Sequence, residues 1–308
     1  MDRNAQYLAE EIAENHADGL LSRREAMRRM AYLGFSAASA SALLAACGKD
    51  KEETTTSQAA STQASTSPGP ASTAATSATT GTPVPTEAIT YPGKDITLQG
   101  VFAKASPAKG AVLVIHENRG ITDFIKSMTG RLAGSGYTAL AVDLLSAQGG
   151  TAAHPDPAEL QSVLVQNATD RSVDDMKSSL VELGKREPGA KLGATGFCFG
   201  GNMTWLLLNA GDPPPLAAAV PFYGQLTNDD LSKTKAAILA VYAELDTRVN
   251  SSRDFATSAM EKAKLPHEVR TFPGVNHAFM NNTGQSYNQT QADAAYQAMI
   301  DWFGKYLK

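Results

Sequence analysis

Cysteine is scarce in this chain of 308 residues: there are two, Cys47 and Cys198. If one of them is consumed by modification, no intramolecular disulfide can form and the other stands alone. Basic runs are missing from the region after residue 88, and the formal net charge is −4. That leaves no electrostatic footprint for nucleic acid. No His/Cys/Asp cluster has ligand spacing, so neither a metal nor another cofactor is implied. The apolar stretch 31–46 has 16 residues, several of them serine, and falls short of the roughly 20 needed to span a bilayer. Large apolar side chains are almost absent from Asp50–Glu87, where Ser, Thr, Ala, Gln, Gly and Pro dominate. Such a segment buries too little surface to offset its ordering entropy, and it is predicted to be a disordered tether. A flexible coil of that length spans roughly 30–35 Å, enough to hold a domain clear of a membrane surface.

The first residues are organised for export. Ser22-Arg23-Arg24 and Arg28-Arg29 precede the small, apolar run Ala31–Ala46, which closes as Leu44-Ala45-Ala46-Cys47. A charged region, an apolar region and a small-residue cleavage site form a signal rather than a fold. Paired arginines before a mildly apolar core point to the twin-arginine route. The ending resembles a bacterial lipobox, in which the cysteine becomes the lipidated first residue of the mature protein. Residues 1–46 are therefore expected to be a signal, 47–88 a tether, and 89–308 one folded domain of about 220 residues. The mature chain is expected outside the cytoplasm. Lipid on Cys47 would anchor it at the outer face of the cytoplasmic membrane, in the periplasm or at the outer membrane.

Within 89–308, the run Gly196-Phe197-Cys198-Phe199-Gly200-Gly201 stands out. It follows a strand-like stretch, Ala190–Thr195, and precedes Asn202–Asn209, which is apolar enough for a buried helix. Glycines around one nucleophilic side chain at a strand-to-helix turn describe a nucleophile elbow, here with Cys in place of the usual Ser. The helix N-terminus behind the sulfur would lower the thiol pKa. A buried structural cysteine at a glycine-rich bend is the alternative. A lone thiol in an oxidising setting favours the functional reading.

Strand-like runs at 96–103, 111–115, 138–143, 217–222, 236–243 and 268–272 alternate with helical patterns at 121–135, 157–166, 172–185 and 290–306. This alternation predicts βαβ units in an α/β, doubly wound, mostly parallel sheet with helices on both faces. Catalytic groups in such sheets gather at the carboxyl ends of strands. Cys198, Asp246 and His277 each follow a predicted strand, in the nucleophile–acid–histidine order of the α/β-hydrolase fold. Glu244 is a rival acid two residues before Asp246.

With these residues in place, the chain resembles the dienelactone hydrolase family, whose members are carboxymethylenebutenolidase-like α/β-hydrolases. The resemblance runs from about Tyr91 to the C-terminus. It rests on His116-Glu117-Asn118-Arg119-Gly120, the glycine-rich hexapeptide at 196–201, Asp246, Gly274–Phe279 around His277, and the gaps between them. It implies that Cys198 attacks a carbonyl, His277 shuttles the proton and Asp246 orients the imidazole. The backbone N–H groups of Asn118 and Phe199 would form the oxyanion hole. Glu117 would match the family's glutamate that contacts the resting thiol and helps deprotonate it. A carboxylate there disfavours thiolate, so the resting sulfur would resist oxidation.

One departure concerns substrate charge. Family members that take the dienelactone bind its carboxylate with arginines, one of them a few residues after the histidine. Here Ala278-Phe279-Met280-Asn281-Asn282 follows instead, which leaves Arg119 and Arg248 as candidate substrate contacts. The resemblance therefore predicts a hydrolase of small esters or lactones without specifying the dienelactone. Two other classes remain: a non-catalytic surface binding protein on the same fold, and a thiol redox protein, which would lack a resolving cysteine.

Overall fold

The computed structural model describes residues 3–17, 19–56, 82–167, 169–211 and 214–308. The chain divides into two compact units, Met1–Leu8 with Thr80–Lys308 and, separately, Ala9–Thr79. Helix α1 (Arg3–Ala17) begins in the first and ends in the second. The smaller unit also holds α2 (Arg23–Tyr32) and α3 (Ala37–Thr56). The Ser22 hydroxyl caps α2 by accepting from the Glu25 amide at 3.2 Å, a placement that satisfies one of the otherwise orphaned N–H groups. Helix α3 runs through Cys47 to Thr56, into the stretch read as tether, because Lys51-Glu52-Glu53 are good helix formers. Residues 57–81, most of that stretch, lie outside the described residues. No described helix is long and apolar enough to cross a membrane.

The larger unit is built on one eight-stranded sheet. Its strands are β1 (Glu87–Pro92), β2 (Thr97–Ala103), β3 (Gly110–Ile115), β4 (Tyr137–Val142), β5 (Leu192–Phe197), β6 (Leu216–Phe222), β7 (Ala237–Ala243) and β8 (His267–Phe272). The spatial order is β1-β2-β4-β3-β5-β6-β7-β8. The first two junctions are antiparallel and all the others parallel. Strands β3, β4 and β5 are buried along their whole length, as expected of central parallel strands covered on both faces, and so they read as unbroken apolar runs.

Helices α4 (Asp123–Gly134), α5 (Pro157–Gln166), α6 (Thr169–Arg186), α7 (Phe199–Ala210), α8 (Thr247–Asn250), α9 (Arg253–Lys262) and α10 (Gln289–Tyr306) fill the connections. On one face α4 meets α10, where the Arg131 guanidinium sits 4.0 Å over the Tyr296 ring and Ser135 hydrogen-bonds Tyr296 at 2.9 Å. On the other, α6 packs beside α7. The doubly wound expectation holds.

One boundary carries a physical lesson. Helix α7 begins at Phe199, ahead of the apolar pattern that starts at Asn202. Its first turn carries Gly200-Gly201, poor helix formers kept there because there is no room for a side chain. A Cβ on Gly200 would lie 2.2 Å from the Ile115 carbonyl oxygen, and one on Gly201 would lie 2.3 Å from that of Phe222. In the larger unit, the opening strand β1 and the helices α8 and α9 are additions to the elements predicted from the sequence.

Candidate active site

The carboxyl ends of β3, β5, β7 and β8 converge on one buried cluster. Cys198 caps α7 with φ 59° and ψ −118°, a backbone conformation that costs a non-glycine residue energy and persists only where surrounding structure enforces it. The enforcement is visible: the Cys198 amide donates to the Phe222 carbonyl at 3.1 Å, and its own carbonyl accepts from Asn202 at 3.1 Å. Gly196 makes the turn sterically feasible, since a Cβ there would lie 2.0 Å from the Gly200 carbonyl oxygen. Phe199 opens the helix, so its N–H has no intrahelical acceptor and belongs to the set of donors that a helix N-terminus offers.

His277 follows β8, and its Nδ1 lies 2.6 Å from Asp246 Oδ2. Asp246 is fully buried and also caps α8, its other oxygen accepting from the Val249 amide at 3.0 Å. Burial pushes its carboxyl up, but the His277 charge and hydrogen bond, Arg248 and the Val249 amide together hold it below the ordinary carboxylate value. Asp246 is thus an ionised partner for the imidazole. With Nδ1 committed to it, Nε2 is the nitrogen that can serve the thiol. The Cys198 sulfur lies within 4.8 Å of a His277 ring nitrogen. The rival Glu244 is exposed and accepts from the Gly274 amide at 2.7 Å. It ties the β7 end to the histidine loop rather than reaching the imidazole.

The loop after β3 supplies Glu117 and Asn118, both buried. His116 anchors it: Nδ1 lies 2.6 Å from the Glu117 carbonyl, and Nε2 accepts from the Leu144 amide at 3.1 Å. Burial lowers its pKa, so His116 is a neutral strut with a fixed tautomer, its Nδ1–H donating. Arg119 is exposed. Arg248 is half-buried and lies close enough to Asp246 to help keep it ionised.

Two residues that the sequence reading gave no role belong to the cluster. Asn281 is buried and donates through Nδ2 to Glu117 Oε2 at 2.7 Å. Its Oδ1 accepts from the Thr283 amide at 2.9 Å and the Thr283 hydroxyl at 2.8 Å, which fixes the amide so that it must donate to Glu117. Tyr223, at φ 37°, is fully buried and packs edge-on against His277 at 5.0 Å between ring centres. Its phenol is pushed well above the usual value by burial first, then by the charges of Glu117 and Cys198. The thiol, the carboxylate and the phenol therefore share one neighbourhood.

The Dienelactone hydrolase family profile matches residues 98–307. The chain belongs to the dienelactone hydrolase family. Two similar relatives bear the name "Putative carboxymethylenebutenolidase". One, from Escherichia coli O157:H7, is 32% identical over 209 residues, covering 63% of this chain and 76% of its own length. The other, from Aquifex aeolicus (strain VF5), is 32% identical over 225 residues, covering 69% of this chain and 95% of its own. Among solved structures, the "Putative Dienelactone Hydrolase" from Klebsiella pneumoniae subsp. pneumoniae MGH 78578 superposes with a TM-score of 0.64. It is 27% identical, and the match covers 72% of this chain and 98% of that one. Membership in this hydrolase family fixes the α/β-hydrolase fold and the broad reaction class for residues 98–307.

Proposed function

We propose that this chain hydrolyses small, uncharged esters or lactones through a covalent acyl-Cys198 intermediate. The observation that carries the reading is the strained Cys198 elbow beside His277, whose far nitrogen is held by the buried, ionised Asp246. In the first half-reaction the thiol proton passes to His277 Nε2 and sulfur bonds to the carbonyl carbon. The carbonyl oxygen becomes an oxyanion between the N–H groups of Phe199 and Asn118. Collapse expels the alkoxide, which takes the proton from His277. Water then loses a proton to His277 and attacks the thioester, releasing the acid and restoring the thiol. Glu117, whose charge reaches the same Tyr223 phenol as that of Cys198, would keep the thiol protonated at rest and give it a second proton acceptor when substrate arrives.

The preference for uncharged substrates rests on Asn281. It stands in the segment where the dienelactone-binding relatives have an arginine, and it spends its amide on Glu117. A bidentate guanidinium contact to a substrate carboxylate contributes about 1.5–3 kcal/mol, roughly 10- to 150-fold in kcat/KM. The test is a matched pair of esters, neutral and carboxylate-bearing, with mass spectrometry of the acylated enzyme alongside. The neutral ester should be the better substrate and should leave a transient adduct on Cys198. A tenfold or larger preference for the anion, abolished by Arg119→Ala or Arg248→Ala, would sink this assignment of substrate charge. We also propose that the domain acts outside the cytoplasm, held to a membrane through lipid on Cys47; the lipobox-like Leu44–Cys47 supports it.

A further inference from the structure

Tyr7 lies far upstream of the hydrolase fold in sequence, in the polar leader ahead of Ser22-Arg23-Arg24, yet it is packed against the site. Its side chain is 4% exposed, and its neighbours Ala5 and Leu8 are 7% and 0% exposed. Its ring centre is 6.5 Å from that of Phe199, with the planes inclined at 59°, within the range of favourable aromatic pairs. The Arg248 guanidinium lies 4.7 Å from the centre of the same ring, inside the reach of a cation–π contact. A third neighbour agrees: the phenol of Tyr223 senses Glu117, Cys198 and Tyr7 together. Phe199 is the residue after the nucleophile, and Arg248 follows Asp246 by two positions. The ring therefore packs against the residue after the nucleophile and against an arginine two residues past the triad acid.

We propose that Phe199 and Arg248 form a subsite for a flat aromatic ring beside Cys198, and that Tyr7 fills it in the full-length chain as a built-in blocker. The ligand class follows from the neighbours: an aromatic ring and a delocalised planar cation, both in contact with the Tyr7 ring, favour a π-system over a saturated ring of equal size. Arg248 is engaged with the ring and with Asp246, which agrees with its having no part in clamping a substrate carboxylate. The inference rests on the reading of Cys198 as nucleophile for its meaning, but the occupancy itself can be tested without ester turnover.

The experiment uses the full chain, native and as Tyr7→Ala and Tyr7→Phe, with thermal melts to establish that each is folded. The first readout is the rate at which iodoacetamide alkylates Cys198. Tyr7→Ala should react about tenfold faster, the size expected when one aromatic pair and one cation–π contact are released. Tyr7→Phe, which keeps the ring, should stay within about twofold of the native rate on the same grounds. The second readout adds benzyl alcohol or cyclohexylmethanol to Tyr7→Ala. Benzyl alcohol should slow the alkylation and cyclohexylmethanol should do so much less. Native-like alkylation of folded Tyr7→Ala overturns the blocker, and equal protection by the two alcohols overturns the aromatic subsite. The third readout is hydrolysis of phenyl acetate. Accelerated alkylation without any ester turnover would leave the blocked subsite standing and remove the proposed hydrolysis instead.

Discussion

At the scale of single residues, the site separates groups that announce themselves from groups that do not. Cys198, Asp246 and His277 were legible because each is a reactive type at a strand end, and their order is itself informative. Asn281 was not: an asparagine in a loop has many ordinary uses, and only its 2.7 Å bond to Glu117 shows its place. A second carboxylate at that distance gives a direct test. Asn281→Asp should raise the pKa of Glu117, because two carboxylates in hydrogen-bond contact cannot both ionise easily. If Glu117 must be ionised to help draw off the thiol proton, the acid limb of the kcat/KM profile should move to higher pH; Asn281→Ala, which only removes the donor to Glu117, should move it the same way but less. An unmoved limb in Asn281→Asp shows that Glu117 does not act as an ionised base.

The two acids at the end of β7 predict a second contrast. Asp246→Asn should lower kcat by about four orders of magnitude, since the imidazole loses the partner that fixes its tautomer and stabilises its charge. Glu244→Gln should leave kcat close to native, because the side chain only ties down the Gly274 amide. Steady-state kinetics on the two variants settles it, and a comparable loss in both would return the acid assignment to Glu244.

At the scale of elements, the predicted strands fall within a residue or two of those observed, because parallel strands buried on both faces read as unbroken apolar runs. The omissions have different causes. Strand β1 is an edge strand whose pattern is mostly exposed, and it follows directly on a Ser/Thr/Pro-rich stretch that hides it. Helix α9 buries only Ala256, Ala259 and Met260 and exposes Phe255, so small side chains on its inner face give little periodic signal. Helix α6 carries the third prediction. Asp175 is buried on its inner side, and its pKa is raised to about 6, by burial first, with Arg171 opposing and Asp174 and Asp95 adding to the rise. Its folded pKa lies above the unfolded value, so the native fold binds this proton more tightly. The native chain should lose stability as pH climbs from about 4 to 6 through this group alone. Asp175→Asn, which cannot ionise, should gain melting temperature relative to the native chain over that window and hold the gain at pH 7. A difference between the two that is flat in pH would show that Asp175 is ionised as easily in the fold as out of it.

At the scale of the whole molecule, the sequence divides into a signal, a tether and a hydrolase domain, while the contacts divide it otherwise: Met1–Leu8 cluster with Thr80–Lys308. Composition could not reveal this, because Tyr7 in a polar leader carries no mark of an aromatic pocket that is assembled only in the fold. The proposals of export and of a Tyr7 blocker make one joint prediction. Cleavage ahead of Cys47 would remove Tyr7 together with the signal, so processing and unmasking would be a single event. In cells, the mature chain should then start at a Cys47 bearing at least two acyl chains, the number needed for stable anchoring, and should show full ester turnover per Cys198. Cys47→Ala, which denies the lipobox its cysteine, should accumulate as the uncut chain with turnover reduced about tenfold, the estimate for one occupied aromatic subsite. Adding Tyr7→Ala to Cys47→Ala should restore activity without restoring cleavage. N-terminal mass spectrometry and active-site titration read the two halves separately. An intact Met1 or an unmodified Cys47 in the envelope fraction ends the export proposal, and an uncut Cys47→Ala chain as active as the mature one ends the coupling.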